Sequence, residues 1–304
     1  MRSGFTTLVL LLVACIAHAQ QDPLYNLYFY NQQMINPAYA GLYKEVTMNL
    51  ISRKQWVGID GSPLTNFFSI GSSVKRRAGV GFSLVDDRLG VSAIQEGQLA
   101  FSYKVIEKEG TVLSLGVQGG MVNYHYDYSK LNLQYLDDTD LNTNVTRLTK
   151  PNVGTGIFFR SERFFAGVSI PRILNVDVTD GLTTSTRYMR HVYVSGGMLI
   201  TNPWQRVFHL KPSFLWRIAP GGKQALDLNL HALLAETVWV GATIRNFNAV
   251  GVNTQFQLMQ RLRVGYSFEL PTSTLLSRNF GTHELSLMVS LSPLSDQHKV
   301  IRYF

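Results

Sequence analysis

The chain has 304 residues, of which 45% are hydrophobic, 12% aromatic and only 16% charged, with a formal net charge of +8. The apolar share demands a core or a lipid contact. Yet beyond the N-terminus no window approaches the roughly 20 consecutive apolar residues of a spanning helix, which excludes a helical membrane protein. The basic residues are dispersed, Lys75-Arg76-Arg77 being the tightest group, so the charge reads as solvated turns facing lipid headgroups and not as a nucleic-acid surface.

The first element is a leader. Arg2 precedes the apolar run Leu8 to Val13, and Ala17-His18-Ala19 forms an A-x-A cleavage site before Gln20, the pattern of a secretory signal peptide over residues 1–19. Leu12-Val13-Ala14-Cys15 also reads as a lipoprotein box, which would make a lipidated Cys15 the first mature residue. Cleavage at Ala19 leaves a mature chain with no cysteine, and so without disulfides or thiolate metal sites.

Residues 20–43 form a Tyr- and Asn-rich segment ahead of any strand pattern, and residues 44–292 repeat one theme: eight to twelve residues of alternating character, then a turn cluster. Alternation places one residue type on each face of a strand. It is purest near the end of the chain, where Leu226, Leu228, Leu230, Ala232 and Leu234 interleave with Asp227, Asn229 and His231. The spacing predicts strands at 45–53, 64–73, 78–86, 93–105, 111–123, 151–160 and 164–171, then 188–200, 206–218, 223–234, 237–246, 248–259, 261–270 and 282–292. That is fourteen, an even number, as single-chain bacterial barrels require. Residues 293–304 are a C-terminal tail.

The connections alternate too. Odd-numbered links, including 54–63, 87–92, 124–150 and 172–187, are generally long, and even-numbered ones such as 74–77 and 161–163 are short. Long extracellular loops and short periplasmic turns give this rhythm when both termini face the periplasm. In lipid every backbone group must be paired internally, so such a sheet has to close. The expected fold is therefore an all-β transmembrane antiparallel barrel with an apolar outer face and a polar lumen. Gly116, Gly119, Gly120, Gly154, Gly156, Gly196 and Gly197 are expected inside, where small residues admit close approach of another segment. Trp56, Phe67, Tyr124, Tyr126, Tyr128, Phe164, Phe165, Trp204 and Trp239 are expected at the two bilayer interfaces. About eight strands already fill a barrel with side chains, so fourteen leave a lumen that either conducts or is plugged, and Asp22 to Gly41 is the natural plug.

A resemblance rests on that same segment. Asp22-Pro23 followed by Asn31-Gln32-Gln33-Met34-Ile35-Asn36-Pro37-Ala38-Tyr39-Ala40-Gly41 is similar to the opening motif of PorP/SprF proteins. Arg53-Lys54-Gln55-Trp56, Gly79-Val80-Gly81-Phe82-Ser83, Lys211-Pro212-Ser213 and Arg263-Val264-Gly265-Tyr266-Ser267 continue the likeness, and Arg302-Tyr303-Phe304 ends it. The resemblance implies a bacterial outer-membrane barrel of the type IX secretion or gliding motility system. Its implied partners are the periplasmic ring proteins and an exported surface protein, met through its C-terminal domain. Asn31, Asn36, Pro37, Tyr39, Arg53 and Trp56 are then the partner-contact candidates. Turn chemistry alone also accounts for Asn36-Pro37 and Gly41, so packing of the motif against the barrel wall stands beside partner contact. Trp56 fits membrane anchoring as well as recognition.

No catalytic residue, cofactor site or metal site is expected. His125, His191, His209, His231, His283 and His298 are scattered without an i, i+4 pair, and there is neither a G-x-S-x-G elbow nor a phosphate loop. Asp138, Asp140, Asn142 and Asn144 resemble the start of a calcium loop, but Thr143 and Thr149 stand where an EF-hand needs Gly and Glu. The expected function is a non-enzymatic protein-docking barrel. The alternative is a transport barrel for small or hydrophobic solutes.

Overall fold

The computed structural model describes residues 25–108, 110–127, 146–180, 183–188, 190–202, 205–220, 224–272 and 279–291. The leader with Cys15, the calcium-like stretch 138–144, Tyr128, Trp204 and the C-terminal tail lie outside the described residues. Three short 3-10 turns, Leu27–Tyr30, Gln32–Met34 and Pro37–Tyr39, come first. Strands then follow one another: β1 (Val46–Lys54), β2 (Leu64–Ser73), β3 (Ala78–Leu89), β4 (Ser92–Lys108), β5 (Thr111–Tyr126), β6 (Thr146–Arg160), β7 (Phe164–Ile170), β8 (Val176–Asp180) and β9 (Thr183–Tyr188). The remainder are β10 (Val192–Met198), β11 (Ile200–Asn202), β12 (Gln205–Ile218), β13 (Gln224–Leu234), β14 (Val238–Arg245), β15 (Ala249–Met259), β16 (Leu262–Pro271) and β17 (Thr282–Leu291).

Each strand pairs antiparallel with its sequence neighbour, with two exceptions. β8 and β9 form a hairpin of their own, and β10 and β11 both pair with β12 as two pieces of one broken stave. Fourteen staves remain among the described residues. β1 pairs with β17 from Val46↔Leu291 to Lys54↔His283, which closes the sheet into a barrel. An even stave number is what allows first and last to meet antiparallel.

The two faces differ as lipid demands. On β13, Leu228, Leu230 and Leu234 are exposed on the outside, while Asp227, Asn229, His231 and Leu233 are buried inside. Leu99, Leu115, Ile157, Val168, Val252 and Leu285 continue the exposed apolar wall around the barrel. A soluble monomer rarely shows apolar patches above a few hundred Å², so this belt belongs in hydrocarbon. Among the described residues no helix is long and apolar enough to cross a membrane, and the crossing is made by strands.

Several expectations are corrected. Gly119 and Gly196 lie on the outer face, because neighbours Gly120 and Gly197 face inward and consecutive strand residues cannot share a face. Phe67, Tyr124, Tyr126, Phe165 and Trp239 do not girdle the bilayer but point inward and are almost fully buried, while Phe164 faces out. Phe67, Phe165 and Trp239 pack against the segment that fills the lumen, and Tyr124 and Tyr126 pack with Val122. The expected link 87–92 is a two-residue turn at Gly90-Val91, with Gly90 at φ 57°. Asp87 and Arg88, expected in that link, sit on the ladder. Thr65 donates to Asp87 at 2.6 Å, and Arg88 pairs with Asp86 at 3.0 Å. The link expected at 172–187 contains the β8–β9 hairpin.

A charge on the outer wall should be costly. Leu228→Arg, midway along β13, is expected to destabilise the barrel by about 2–4 kcal/mol, whereas Leu228→Phe should change little. Heat-modifiable gel migration across a urea series measures both, and equal midpoints for the two variants would show that Leu228 does not face lipid.

Candidate functional site

The lumen is occupied by residues 25–43, and the first question is why this stretch folds as it does. Its turns are too short for α-helix and are held by side-chain caps. Asn31 Oδ1 accepts from the Gln33 N–H at 3.2 Å, and Asn36 Oδ1 accepts from the Ala38 N–H at 2.9 Å. Pro37 at the first position of its turn supplies the required φ and has no N–H to leave unpaired. Gly41, at φ 60°, then turns the chain toward β1.

The wall is shaped to receive these turns. A Cβ on Gly116 would collide with the Ala38 and Pro37 backbone, one on Gly156 with the Asn36 amide, and one on Gly79 with the Ala40 carbonyl. Glycine there lets the segment lie directly on the wall backbone. Hydrogen bonds fix the fit. Asn36 Nδ2 donates to the Ile157 carbonyl at 2.9 Å, Ser169 Oγ donates to the Ile35 carbonyl at 2.6 Å, and Ser102 Oγ donates to the Ala40 carbonyl. Asn31 Nδ2 donates to Ser69 Oγ at 2.9 Å.

Apolar contact supplies most of the driving force. Toward one rim, Ala38, Tyr39 and Leu42 pack with Phe158, Phe165, Leu233 and Trp239 of the wall. Toward the other, Leu27, Tyr28, Phe29 and Ile35 pack with Ile51, Phe67, Tyr193 and Leu215. Tyr39 meets Phe158 edge-on at 5.3 Å, and Phe29 lies 3.7 Å from the His231 ring. Each large side chain buried this way contributes about 1.5–3 kcal/mol relative to exposure. Phe67, Phe158, Phe165 and Trp239 are therefore partners of the segment.

A charged cluster holds the beginning of the segment. Arg53 pairs with Glu269 at 3.0 Å and with Glu284 at 3.1 Å. Arg217 pairs with Asp227 at 3.0 Å, and Arg245 bridges Asp227 at 3.5 Å and Glu269 at 3.4 Å. Three guanidinium groups and three carboxylates thus balance, as buried charges must. Glu284 also accepts the backbone N–H groups of Asn26 at 2.7 Å and Leu27 at 2.9 Å, the unpaired donors that open the first turn. Arg245 donates to the Tyr25 carbonyl at 3.2 Å and to the Asn26 side chain.

Of the six residues singled out in the sequence, Asn31, Asn36, Pro37, Tyr39 and Arg53 come together inside the barrel, all buried. With the segment seated they pack against the wall. Trp56 stands apart, half-buried in the link after β1 at φ 49°, with its N–H 3.4 Å from Thr282 Oγ1. Sequence reasoning missed Asn26, Asp227, Arg245, Glu269 and Glu284 as a set. The available signal was a charged residue at the inward position near the same end of four strands, but only the barrel register shows that the four converge.

Glu284→Gln removes the charge that joins Arg53 to the segment. Hydrogen bonds to charged groups contribute about 1.5–3 kcal/mol, so exchange of the Asn26 and Leu27 amides should accelerate by one to two orders of magnitude at intact barrel fold. Unchanged exchange at both amides would mean that the carboxylate does not hold the segment.

The sequence profile of the family described as type IX secretion system membrane protein PorP/SprF matches residues 17–289. No curated protein matches the chain. Among solved structures, Acinetobacter baumannii outer membrane protein Omp33 aligns with a TM-score of 0.45 at 9% identity, over 82% of this chain and 99% of its own. The KdgM porin aligns at 0.41 and 8% identity, over 81% and 100%. The CymD monoaromatic hydrocarbon channel aligns at 0.45 and 11% identity, over 90% and 93%. The profile spans the lumen segment and nearly all of the barrel, and the chain belongs to the PorP/SprF family of type IX secretion system outer-membrane proteins.

Proposed function

We propose that the chain works in type IX secretion or gliding motility as a closed docking barrel, without catalysis of its own. In this reading it engages periplasmic ring proteins through its short-turn rim and the C-terminal domain of an exported surface protein elsewhere on the barrel. The observation that carries the reading is the seated segment. The family's opening motif is folded into glycine-lined positions on the wall, and Leu27 and Ala38 are wholly buried between segment and wall. A conduit for small or hydrophobic solutes needs a lumen that empties, and here Arg53, Arg217 and Arg245 are paired with carboxylates instead of facing a water path.

Two measurements test the proposal. A tagged chain purified from the native envelope after mild crosslinking should bring down ring proteins together with one large exported protein. Recovery of neither class would overturn the docking role. In planar bilayers the full chain should be nearly silent, while deletion of Asn31 to Ala40, which removes no stave, should raise conductance to that of an open pore. A full chain that conducts steadily at rest would return the barrel to solute transport.

A further inference from the structure

The outer wall changes character along one line between β1 and β4, and the strand register locates it. Met48, Ile70, Phe82 and Leu99 lie opposite one another on the outward face, and the next outward row is Leu50, Phe68, Leu84 and Gly97. Both rows are apolar. The row after them is Ser52, Asn66, Asp86 and Gln95, and the one beyond it is Lys54, Leu64, Arg88 and Ala93. His283 of β17 continues this last row on the other side of Lys54. Within one short stretch of strand, exposed Leu50 and Leu84 give way to Lys54 and Arg88.

The line lies at the headgroup level of the outer leaflet. Lys54 ends β1 at the link 55–63, and His283 is the second residue of β17 after the link 272–281. Both therefore stand at the rim of the long links, which is the extracellular one in bacterial barrels. Aromatic residues gather at the same level, as they do at bilayer interfaces. The Tyr266 hydroxyl is 2.7 Å from His283 Nδ1, and the Phe280 carbonyl is 3.2 Å from Nε2, with Phe280 itself exposed. The feature is local to this side of the barrel. At the same rim β14, β15 and β16 carry Ile244, Val250 and Leu270 as their last outward residues, all apolar and exposed.

The polar groups are held in place without being used up. Ser52 Oγ donates to Asn66 Oδ1 at 2.8 Å, and Asp86 accepts from Gln95 Nε2 at 3.2 Å and pairs with Arg88 Nε at 3.0 Å. The Arg88 side chain is nevertheless 61% exposed. Lys54 Nζ donates to the Ser62 carbonyl at 2.9 Å, one hydrogen bond for a group with three hydrogens to give. Leu64 lies between the two cations on β2, so their α-carbons are about 10 Å apart. Asp86 is the single carboxylate in the two polar rows of β1 to β4, and the surface is cationic.

We propose that Lys54 and Arg88, with His283 beside them, form a binding surface for the phosphate of a phosphorylated outer-leaflet lipid. Its acyl chains lie against Leu50, Phe68 and Leu84, and its phosphate is met by an ammonium and a guanidinium, charge-assisted donors suited to phosphate oxygens. Continuity with the apolar wall favours lipid over protein, because the surface that carries the cations runs without a break into hydrocarbon. The surface is separate from the lumen segment and stands whether or not the docking role does.

The test uses the purified chain in mild detergent with two probes, lipopolysaccharide and the same lipid stripped of its phosphates. The intact lipid should bind about tenfold more tightly, the contribution expected of a pair of cations near a lipid surface. Equal binding of the two probes to the unsubstituted chain overturns the proposal without recourse to any variant. Lys54→Gln combined with Arg88→Gln should abolish most of the difference. Lys75→Gln combined with Arg76→Gln, an equal loss of charge at the opposite rim, should leave it intact. An equal drop in both double variants would show unspecific charge attraction. A difference preserved without Lys54 and Arg88, alongside loss of a co-purifying protein, would make the surface a protein contact. Either result overturns the proposal, and heat-modifiable migration verifies that each variant keeps the barrel.

Discussion

A sheet exposed to lipid cannot keep a free edge, and a sheet of fourteen staves that closes encloses more space than its inward side chains can fill. The rest of this structure follows from that constraint. The space is filled by the protein's own chain, residues 25–43, and the inner wall is built for it. Where backbone must approach backbone, the wall has Gly79 and Gly116; where the Asn36 amide lies on it, Gly156; and where rings must pack, Phe67, Phe158, Phe165 and Trp239. The same constraint explains why Phe67, Phe165 and Trp239 avoid the bilayer interfaces: they cover the aromatic face of the segment.

Closure and filling are joined at one residue. Arg53 and Glu284 face each other across the β1–β17 seam, so their ion pair fastens the last strand to the first. Glu284 also holds the first turn of the lumen segment through two backbone N–H groups. Buried ion pairs contribute little net stability, but removing one partner is strongly destabilising because the other is left buried and unpaired. Such a network therefore specifies an arrangement more than it strengthens one. Here the arrangement is a barrel whose seam and segment come into register together. Arg217, Asp227, Arg245 and Glu269 extend the same balance across β12, β13, β14 and β16.

For a secretion-system barrel the consequence is a body with two unlike rims and a filled lumen. Between the headgroup levels the outer wall is apolar, as lipid requires, and offers few features for a specific partner. Variation is concentrated in the links, where the β8–β9 hairpin rises from the long-link rim and the loop holding Trp56 is tied to residues 279–282. A segment fixed at the short-turn rim by its covalent link to β1, and at the other by Glu284 and Arg245, connects the two rims mechanically as well as filling the lumen.

Much of this was legible in the sequence. Period-two alternation, as in Leu226 to Leu234, determined the strands and which face meets lipid, because burial on one side of a pleated strand imposes that period directly. The even strand count, the closed sheet and the need for a lumen filler followed from length and from the backbone hydrogen bonds that lipid cannot satisfy. Asn36-Pro37 and Gly41 announced turns because cap and φ preferences are local. What the sequence could not decide was which inward residues meet. Asp227, Arg245, Glu269 and Glu284 look like separate polar positions until the register of four strands brings them to one height. Trp239 and Phe67 look like interface anchors until the segment covers them. The direction of that segment was likewise invisible. It depends on contacts between residues more than two hundred positions apart, such as Asn26 with Glu284, and only the tertiary structure sets those.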